Sequence, residues 1–398
     1  MRGSFVLALF LFLNILLYFS NAHLYFFEAY ITSFRPFYWF LITAIVGTGF
    51  ILLRLKRRLT HQSSYRLIIW ASVFIFMATM SFMFISPAND TNLQIYISTL
   101  ESMGLLVILT ILFRDEQAAR WATFAVFVVV IFSVLMNYGE FFHIFSSKWH
   151  FSSTPGRAAG LYTNSNLAGQ QLVMGMVLSV FIVPKKLRWW YCLFVATGVI
   201  LTFSRAAIIL WIIAVLGLGW GNVFTLPRKL SVTVLGVGIV FITVTLSLGS
   251  WLGAFESAGL GRYLDSNTRE RIGSSFIKQT DSSSKERAAV VKRGFSLAFE
   301  KPVIGWGIGA TKNPHTGIAP HNMYILMGIE YGIPGLFMLF ALMWVLWKAD
   351  NERSKIMAVL YGVGGVFTHN NLDAMPVIMV LAITVVGIGW QVQQSRYR

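Results

Sequence analysis

A histidine and two arginines are the residues in this chain whose types and positions best suit chemistry. His321 stands at the start of an apolar run, Arg205 lies in a short polar break between two apolar runs, and Arg287 lies in a long polar segment. Histidine titrates near neutral pH and can take a proton from an attacking hydroxyl, while a guanidinium binds phosphate through two parallel hydrogen bonds. These side chains suit a substrate with an anionic phosphate head, if the fold brings them to one place.

The sequence lacks the motifs of several other chemistries. Its six aspartates form no Asp-x-Asp pair, and it contains no Walker loop, no His-Glu-x-x-His and no Gly-x-Ser-x-Gly. We therefore expect no metal ion, no ATP and no other cofactor. Arginines would then have to neutralise a phosphate leaving group.

The composition predicts a membrane protein that crosses the bilayer many times. The chain is 56% hydrophobic and 12% charged, with a mean hydropathy of +0.66. Its apolar runs are continuous rather than alternating in polarity, which favours helices over a β-barrel. We predict an all-α polytopic fold with about 12 transmembrane helices. The single cysteine, Cys192, falls in a predicted span, so no internal disulfide is possible.

The predicted spans leave one long polar loop. They cover residues 4–20, 36–53, 66–86, 92–113, 121–138, 166–183, 189–203, 206–222, 230–252, 321–347, 355–370 and 374–391. The domain organisation is therefore nine spans in 1–252, a loop in 253–320 and three spans in 321–398. Between the seventh and eighth spans the segment "LTFSRAA" must form a tight turn.

The distribution of lysine and arginine predicts the orientation. With both termini in the cytoplasm, the short inner segments hold 18 basic residues and the short outer segments hold four. The other ten lie in the long outer loop, which is exempt from the rule because long loops are translocated regardless of charge. Arg205, Arg287 and His321 then all fall on the outer side, so one site there can collect them.

A helix near 283–300 is predicted inside the long loop. Ser283 and Glu286 fit a capping box, and Val291, Phe295 and Ala298 supply an apolar stripe. Arg287 would then lie in the first helical turn, where its charge adds to the positive end of the helix dipole and favours an anion. The glycines at alternate positions in "PVIGWGIGA" predict a tight turn after this helix. In the tenth span we expect Glu330 to pair inside the bundle, and the glycines and proline of 332–335 to bend the helix.

Further polar side chains on the outer side are candidates for substrate binding. They are Asn322, Arg262, Arg269, Arg271, Lys292, Arg293, Asn164 and Asn166. Simpler roles compete with each of these and with the three main residues. Asparagines in "YTNSNLAG" can cap a helix, an interfacial arginine can extend its charge to water, and a helix arginine can be solvated. The convergence of so many signals on one side favours the functional interpretation.

Four segments resemble the signature region of the O-antigen ligase and polymerase superfamily, the WaaL and Wzy-C group. They are the Ser283 to Arg287 pattern, "FEKPVIGWGIG" at 299–309, "HNMYILMGIEYGIPG" at 321–335 and "TFSRAA" at 202–207, the last resembling the ligase branch. The family pattern has an aromatic residue a few positions after the arginine, where this chain has Val290 and Val291. That departure leaves the helix register open.

The resemblance implies a GT-C type glycosyltransferase of the bacterial inner membrane with its active site on the periplasmic face. It implies inverting transfer of a glycan from undecaprenyl diphosphate to a sugar hydroxyl of lipid A-core, which completes lipopolysaccharide. His321, Arg287 and Arg205 match the catalytic positions, with the histidine acting on the acceptor hydroxyl and the arginines on the diphosphate.

Three alternatives remain at this stage. A polymerase would use the same donor with a second polyprenyl-linked glycan as acceptor; the ten basic residues of the loop favour the ligase, because they suit a phosphorylated core. A protein O-oligosaccharyltransferase is less favoured, since such relatives usually carry a larger C-terminal extracytoplasmic domain. A transporter would need more intramembrane charge than Glu101 and Glu330 supply.

Overall fold

The computed structural model describes residues 2–30, 35–54, 62–87, 89–144, 157–224, 282–312, 320–349, 351–368 and 372–386. Its helices are α1 (Arg2–Phe19), α2 (Ala22–Ala29), α3 (Pro36–Arg54), α4 (Gln62–Phe84), α5 (Asp90–Leu112), α6 (Glu116–Phe141), α7 (Ser165–Ser179), α8 (Arg188–Leu201), α9 (Arg205–Trp220), α10 (Ser282–Glu300), α11 (Met323–Trp347), α12 (Glu352–Phe367) and α13 (Met375–Val385). No β-strand occurs in these ranges. Six helices can cross a membrane by length and composition, or seven if the bent pair α1 and α2 is one span. The predicted all-α polytopic class is confirmed.

Each predicted span within the described ranges coincides with a helix. The predicted span 230–252 and most of the loop 253–320 lie outside the described residues, so the total of twelve stays a prediction. One difference follows the first span, where the chain bends by 56° into α2. Asn21 stands at that bend with a φ of 63°, a left-handed conformation that asparagine adopts more readily than most residues.

The chain forms two compact units. The first comprises Met1–Phe27, Ser33–Val126 and Val290–Arg398, and the second comprises Glu28–Thr32 and Phe127–Ala289. Inside the first unit, α5 packs against α3, α4 and α13, while α11 packs against α4 and α12. Inside the second unit, α7 packs against both α8 and α9. Almost every residue of α7 is buried, including the polar side chains of Gln170 and Gln171.

The segment between α8 and α9 is the tight turn that the sequence predicts. The first helix ends at Leu201 and the second begins at Arg205. Phe203 takes a φ of 46°, and the Ser204 hydroxyl caps α9 by accepting from the Ala207 amide at 3.3 Å. Three residues therefore suffice to reverse the chain, and Arg205 becomes the first residue of the next helix.

Helix α10 confirms the predicted loop helix but begins one residue before Ser283, its expected cap. Arg287 consequently lies in the second turn, where the helix dipole acts on it more weakly than the first-turn placement implied. The predicted apolar stripe is also partly wrong, because Phe295 is exposed. Val291 and Ala298 do pack on the buried cluster of the first unit that includes Ile325 of α11. Gly294, rather than Phe295, faces Ile325 closely.

A break in α11 is compensated by the glycine turn that follows α10. Gly332 has a φ of 64° and a ψ of −147°, which interrupts the helix, and Pro334 has no amide hydrogen to donate to the Glu330 carbonyl. The carbonyls of residues 329 and 330 instead accept from the amides of Trp306 at 2.7 Å and Gly307 at 3.1 Å. The amide of residue 333 donates to the Pro302 carbonyl at 2.8 Å. The expected bend is thus confirmed, and its freed backbone groups are satisfied by the turn.

The three glycines of this turn, 305, 307 and 309, all have positive φ, which confirms the tight turn. A side chain at Gly305 or Gly307 would meet the backbone of residues 330–331 or of Ser86 at under 3 Å. The hydroxyl of Ser81 accepts from the amide of residue 308 at 3.0 Å, which ties the turn to α4 as well. Glycine is required here because α4, α11 and the turn approach at backbone distance.

Replacing Gly332 by alanine should destabilise the protein by about 1 to 3 kcal/mol or more, since alanine disfavours the positive φ and its Cβ would lie 2.5 Å from the Pro302 carbonyl oxygen. The measurement is thermal unfolding of the purified protein in detergent. Gly104→Ala is the matched control, because its α5 site has no neighbour within 4 Å and alanine is the better helix former. Equal melting temperatures for the two variants would contradict this account.

Candidate active site

His321 lies in a bend directly before α11, and its side chain is exposed. The next residue, Asn322, is the N-cap of this helix, with its side-chain oxygen accepting from the amides of Tyr324 at 2.9 Å and Ile325 at 3.1 Å. The cap explains why the chain enters the helix at this point. It also occupies the acceptor oxygen of Asn322, so this residue has a structural role where substrate binding was predicted.

A cavity of about 260 Å³ opens beside His321 within the first unit. Pro320 and Met323, on either side of the His321–Asn322 pair, are part of its wall. The remainder of the wall comes from Phe74 of α4, the first half of α5, the first turns of α11, the short helical turn at 310–312 and the turn before α13. Several of these wall residues are polar or charged, which is unusual for a cavity among membrane helices.

Glu330 contributes a buried carboxylate to this cavity. Its side chain accepts a hydrogen bond from the Thr311 hydroxyl at 2.8 Å, and only 5% of the residue is exposed. This confirms the prediction that Glu330 is paired inside the bundle. Because the helical turn that carries Thr311 follows the glycine turn, the carboxylate also fixes the path of residues 310–312 along α11.

Asp373 lines the same cavity from the turn before α13. The residue as a whole is exposed, but the surrounding protein removes bulk water from its carboxyl, and this raises the pKa of Asp373 to about 6. The nearby ammonium of Lys312 acts in the opposite direction. The cavity wall therefore holds the Asp373 carboxyl and the Lys312 side chain in addition to Glu330.

Arg205 occupies the first position of α9 in the second unit and is partly buried. A cation at a helix N-terminus is disfavoured by the dipole, by about 0.3 to 1 kcal/mol at an exposed site. A bound anion there would interact with both the guanidinium and the free amides of the first turn. The helix dipole thus slightly disfavours the guanidinium of Arg205 by itself, and an anionic ligand at this position would interact favourably with both.

A second arginine, Arg157, holds the turn that carries Arg205. It is buried, with its Nε donating to the Thr202 carbonyl at 2.9 Å and its Nη2 donating to the Asn166 side-chain oxygen at 2.9 Å. The neighbouring amide of Ala158 donates to the Leu201 carbonyl at 3.2 Å. These bonds satisfy carbonyls at the C-terminal end of α8, which have no partner within the helix.

Glu140 fixes the other side of the same segment. Its carboxylate accepts from the amides of Ala159 and Gly160, both at 2.8 Å. Gly160 has a φ of 59°, so the chain turns sharply there towards Asn164, which caps α7 by accepting from the Leu167 amide at 2.8 Å. Residues 157–166 thus form a polar loop that is bound at both ends to the helices around Arg205.

Residues 190–340 match the family model Wzy_C, described as O-antigen ligase. Within this range the chain is similar to the O-antigen ligase/Wzy_C superfamily. Members are glycosyltransferase-like ligases and polymerases that work with lipid-linked O-antigen, and this multi-pass membrane protein has a function of that general type. The matched range contains Arg205, Arg287 and His321. No curated protein matches the chain.

The structure places the predicted site residues in separate groups. His321 and Asn322 belong to the first unit, while Arg205, Asn164 and Asn166 belong to the second. Three further predicted residues lie on α10: Lys292 and Arg293, both exposed, and Arg287, for which the structure describes the backbone only. Arg262, Arg269 and Arg271 lie outside the described residues. In the described ranges, no three His, Cys, Asp or Glu side chains converge as metal ligands.

The sequence analysis did not identify two sets of polar residues that have a role in the structure. Arg157 is visible in the sequence only as one of four basic residues in short outer segments, and Glu140 only as the acid that ends an apolar run. Thr311 and Lys312 follow the glycine motif without any pattern of their own. Each acquires its role from a neighbour that is 19 or more positions away, so local spacing carries no signal for it.

Replacing Arg157 by glutamine should lower the thermal stability of the protein markedly. The shorter side chain cannot reach both the Thr202 carbonyl and Asn166, and each lost hydrogen bond of a buried charged group costs about 1.5 to 3 kcal/mol. The control is Arg120→Gln, which removes an exposed ion pair with Glu116 and should change stability by at most about 1 kcal/mol. Melting curves in detergent that coincide for the two variants would show that Arg157 does not hold the turn.

Proposed function

We propose that this protein is an O-antigen ligase, which transfers a glycan from undecaprenyl diphosphate to a sugar hydroxyl of lipid A-core. One observation carries the proposal: a single O-antigen ligase family match encloses Arg205, Arg287 and His321 together. The exposed position of His321 beside a polar cavity and the helix-start position of Arg205 support the roles given to them. The ten basic residues of 253–320 favour a phosphorylated core as acceptor.

The proposed reaction is a single inverting displacement. The acceptor hydroxyl attacks the anomeric carbon, the new glycosidic C–O bond forms as the bond to the diphosphate oxygen breaks, and undecaprenyl diphosphate leaves with the bonding electron pair. His321 accepts the hydroxyl proton or positions that hydroxyl for attack. Arg205 and Arg287 bind the leaving diphosphate, whose charge a divalent metal holds in many other transferases.

The proposed location is the bacterial inner membrane, with both termini in the cytoplasm and the reaction on the periplasmic face. The excess of basic residues in the short inner segments supports this orientation. In this orientation the start of α11 and the turn between α8 and α9 lie at the outer ends of their spans. A lipid-linked donor and a lipid-linked acceptor can both reach that surface from the bilayer.

An O-antigen polymerase is the second candidate, since the family match covers ligases and polymerases alike. The deciding experiment reconstitutes the purified protein with polyprenyl-diphosphate glycan and rough lipopolysaccharide, with excess EDTA and without ATP. We expect glycan on the lipid A-core. Elongated polyprenyl-linked glycan with no transfer to lipopolysaccharide would identify the polymerase, and a loss of transfer that Mg²⁺ restores would remove the arginine account of the leaving group.

His321→Ala should abolish transfer in this assay while leaving the protein folded. The side chain is exposed in a bend, so its loss creates no cavity, whereas loss of a general base usually slows a reaction by about 10² to 10⁴. Transfer rate and melting temperature are measured together. A variant with near wild-type transfer would exclude His321 from the mechanism.

Arg205→Ala and Arg287→Ala should each impair transfer, and the double variant should lose less than the product of the two single losses. Groups that act on one leaving group are not independent, so their effects fail to multiply. Arg120→Ala is the control for an exposed arginine outside the matched segments. Losses that multiply would indicate two separate roles, and unchanged transfer in both singles would make the arginines structural.

A further inference from the structure

We propose that the cavity at the start of α11 binds the terminal sugar ring of the acceptor, with the side chains of Gln94 and Ser98 on α5 as its hydroxyl-binding groups. This inference rests on the proposed transferase function and adds to it the place where the acceptor saccharide sits. Both side chains line the cavity, and neither has been assigned a role by the family motifs.

The size of the cavity fits a single ring. Pockets for drug-sized ligands occupy about 300 to 1,000 Å³, and the 260 Å³ here lies just below that range. One part of the wall is apolar, including Phe74, Met323 and Met327, while the α5 side is polar. A pyranose has the same division, because its C–H face is apolar and its hydroxyl groups point outwards around the ring.

The hydrogen-bonding groups of the wall match sugar hydroxyls. A primary amide offers two donors and an acceptor, and a serine hydroxyl donates and accepts, as each sugar hydroxyl also does. The Thr99 hydroxyl is already used, donating to the Ile95 carbonyl at 2.9 Å. Gln94 and Ser98 make no side-chain hydrogen bond to any other described residue. As far as the described residues go, the hydrogen-bonding groups of these two side chains are therefore left to a ligand or to water.

The charge of the wall disfavours the donor's diphosphate. Two carboxyl groups, those of Glu330 and Asp373, face a single ammonium, that of Lys312. Carboxyl groups offer a phosphate no cationic partner, whereas they can form hydrogen bonds with hydroxyl groups in either protonation state. The ligand is thus a neutral saccharide portion rather than the anionic head, and the diphosphate is left to the arginines.

The position of the cavity connects this ligand with the chemistry. Pro320 and Met323 lie in its wall and flank His321 and Asn322 in the sequence. The backbone therefore passes the rim at His321, whose side chain is exposed and is not itself part of the wall. A sugar ring held by α5 at one side presents a hydroxyl at the opposite side, towards that rim. The start of α11 then brings the acceptor hydroxyl close to His321, its proposed base.

Thiol protection tests the site without requiring transfer. The chain has one cysteine, Cys192, which is buried, so Ser98→Cys supplies an accessible thiol in the cavity, and Gln117→Cys supplies an exposed control thiol on α6. Core oligosaccharide released from rough lipopolysaccharide, at ten times its Kd, should slow methanethiosulfonate labelling of the cavity thiol about tenfold and leave the control unchanged. Protection by polyprenyl-diphosphate glycan alone, or by neither ligand, would overturn the proposal.

Steady-state kinetics give a second test through Gln94→Ala, with Gln117→Ala as the matched control. The KM for the acceptor should rise about 2- to 10-fold from the lost hydrogen bond, with kcat and the donor KM within about twofold of wild type. A rise in the donor KM, or a fall in kcat alone, would overturn the acceptor assignment. Normal transfer without thiol protection would remove the subsite and keep the ligase, whereas protection without transfer to lipopolysaccharide would remove the ligase and keep the subsite.

Discussion

The break in α11 at Gly332 is the constraint on which the surroundings of the candidate site depend. In a membrane-embedded helix every backbone group needs a partner, and Pro334 and the positive φ of Gly332 together leave partners missing on both sides of the break. The turn at 302–307 supplies them with three hydrogen bonds. That exchange holds the turn against α11 at backbone distance, which is why glycine is needed at 305, while the backbone of Ser86 leaves no room for a side chain at 307.

The break in α11 affects the candidate active site through Glu330. With the turn fixed, the chain continues directly to Thr311 and Lys312, and the carboxylate of Glu330 accepts from the Thr311 hydroxyl. A buried carboxylate without such a partner would be strongly destabilising, so the pair stabilises both the helix and the turn. The cavity beside His321 is the space left between this assembly and α5. Its polarity is thus a product of the same contacts that repair the broken helix.

In the second unit, too, polar groups from another segment bond to backbone carbonyls that have no helical partner. The short turn between α8 and α9 leaves the last carbonyls of α8 without helical partners, and Arg157 and the amide of Ala158 bond to two of them. Glu140 and Asn166 in turn hold the loop that carries Arg157. These hydrogen bonds also fix the position of Arg205, the first residue of the next helix. In both units, candidate catalytic residues stand at helix starts whose geometry is determined by buried polar contacts.

The sequence by itself determined the class of the molecule and much of its layout. Long apolar runs require helices in a bilayer, so the spans, the turn at 202–204 and the loop helix could be predicted, and the motifs around His321 indicated the family. The tertiary structure alone decided which polar residues share a site. Packing between distant segments brings together Glu140 and Gly160, and likewise Thr311 and Glu330. Local periodicity in the sequence does not predict such pairs. The tertiary structure also decided that Phe295 is exposed, because burial depends on the neighbours that the fold supplies.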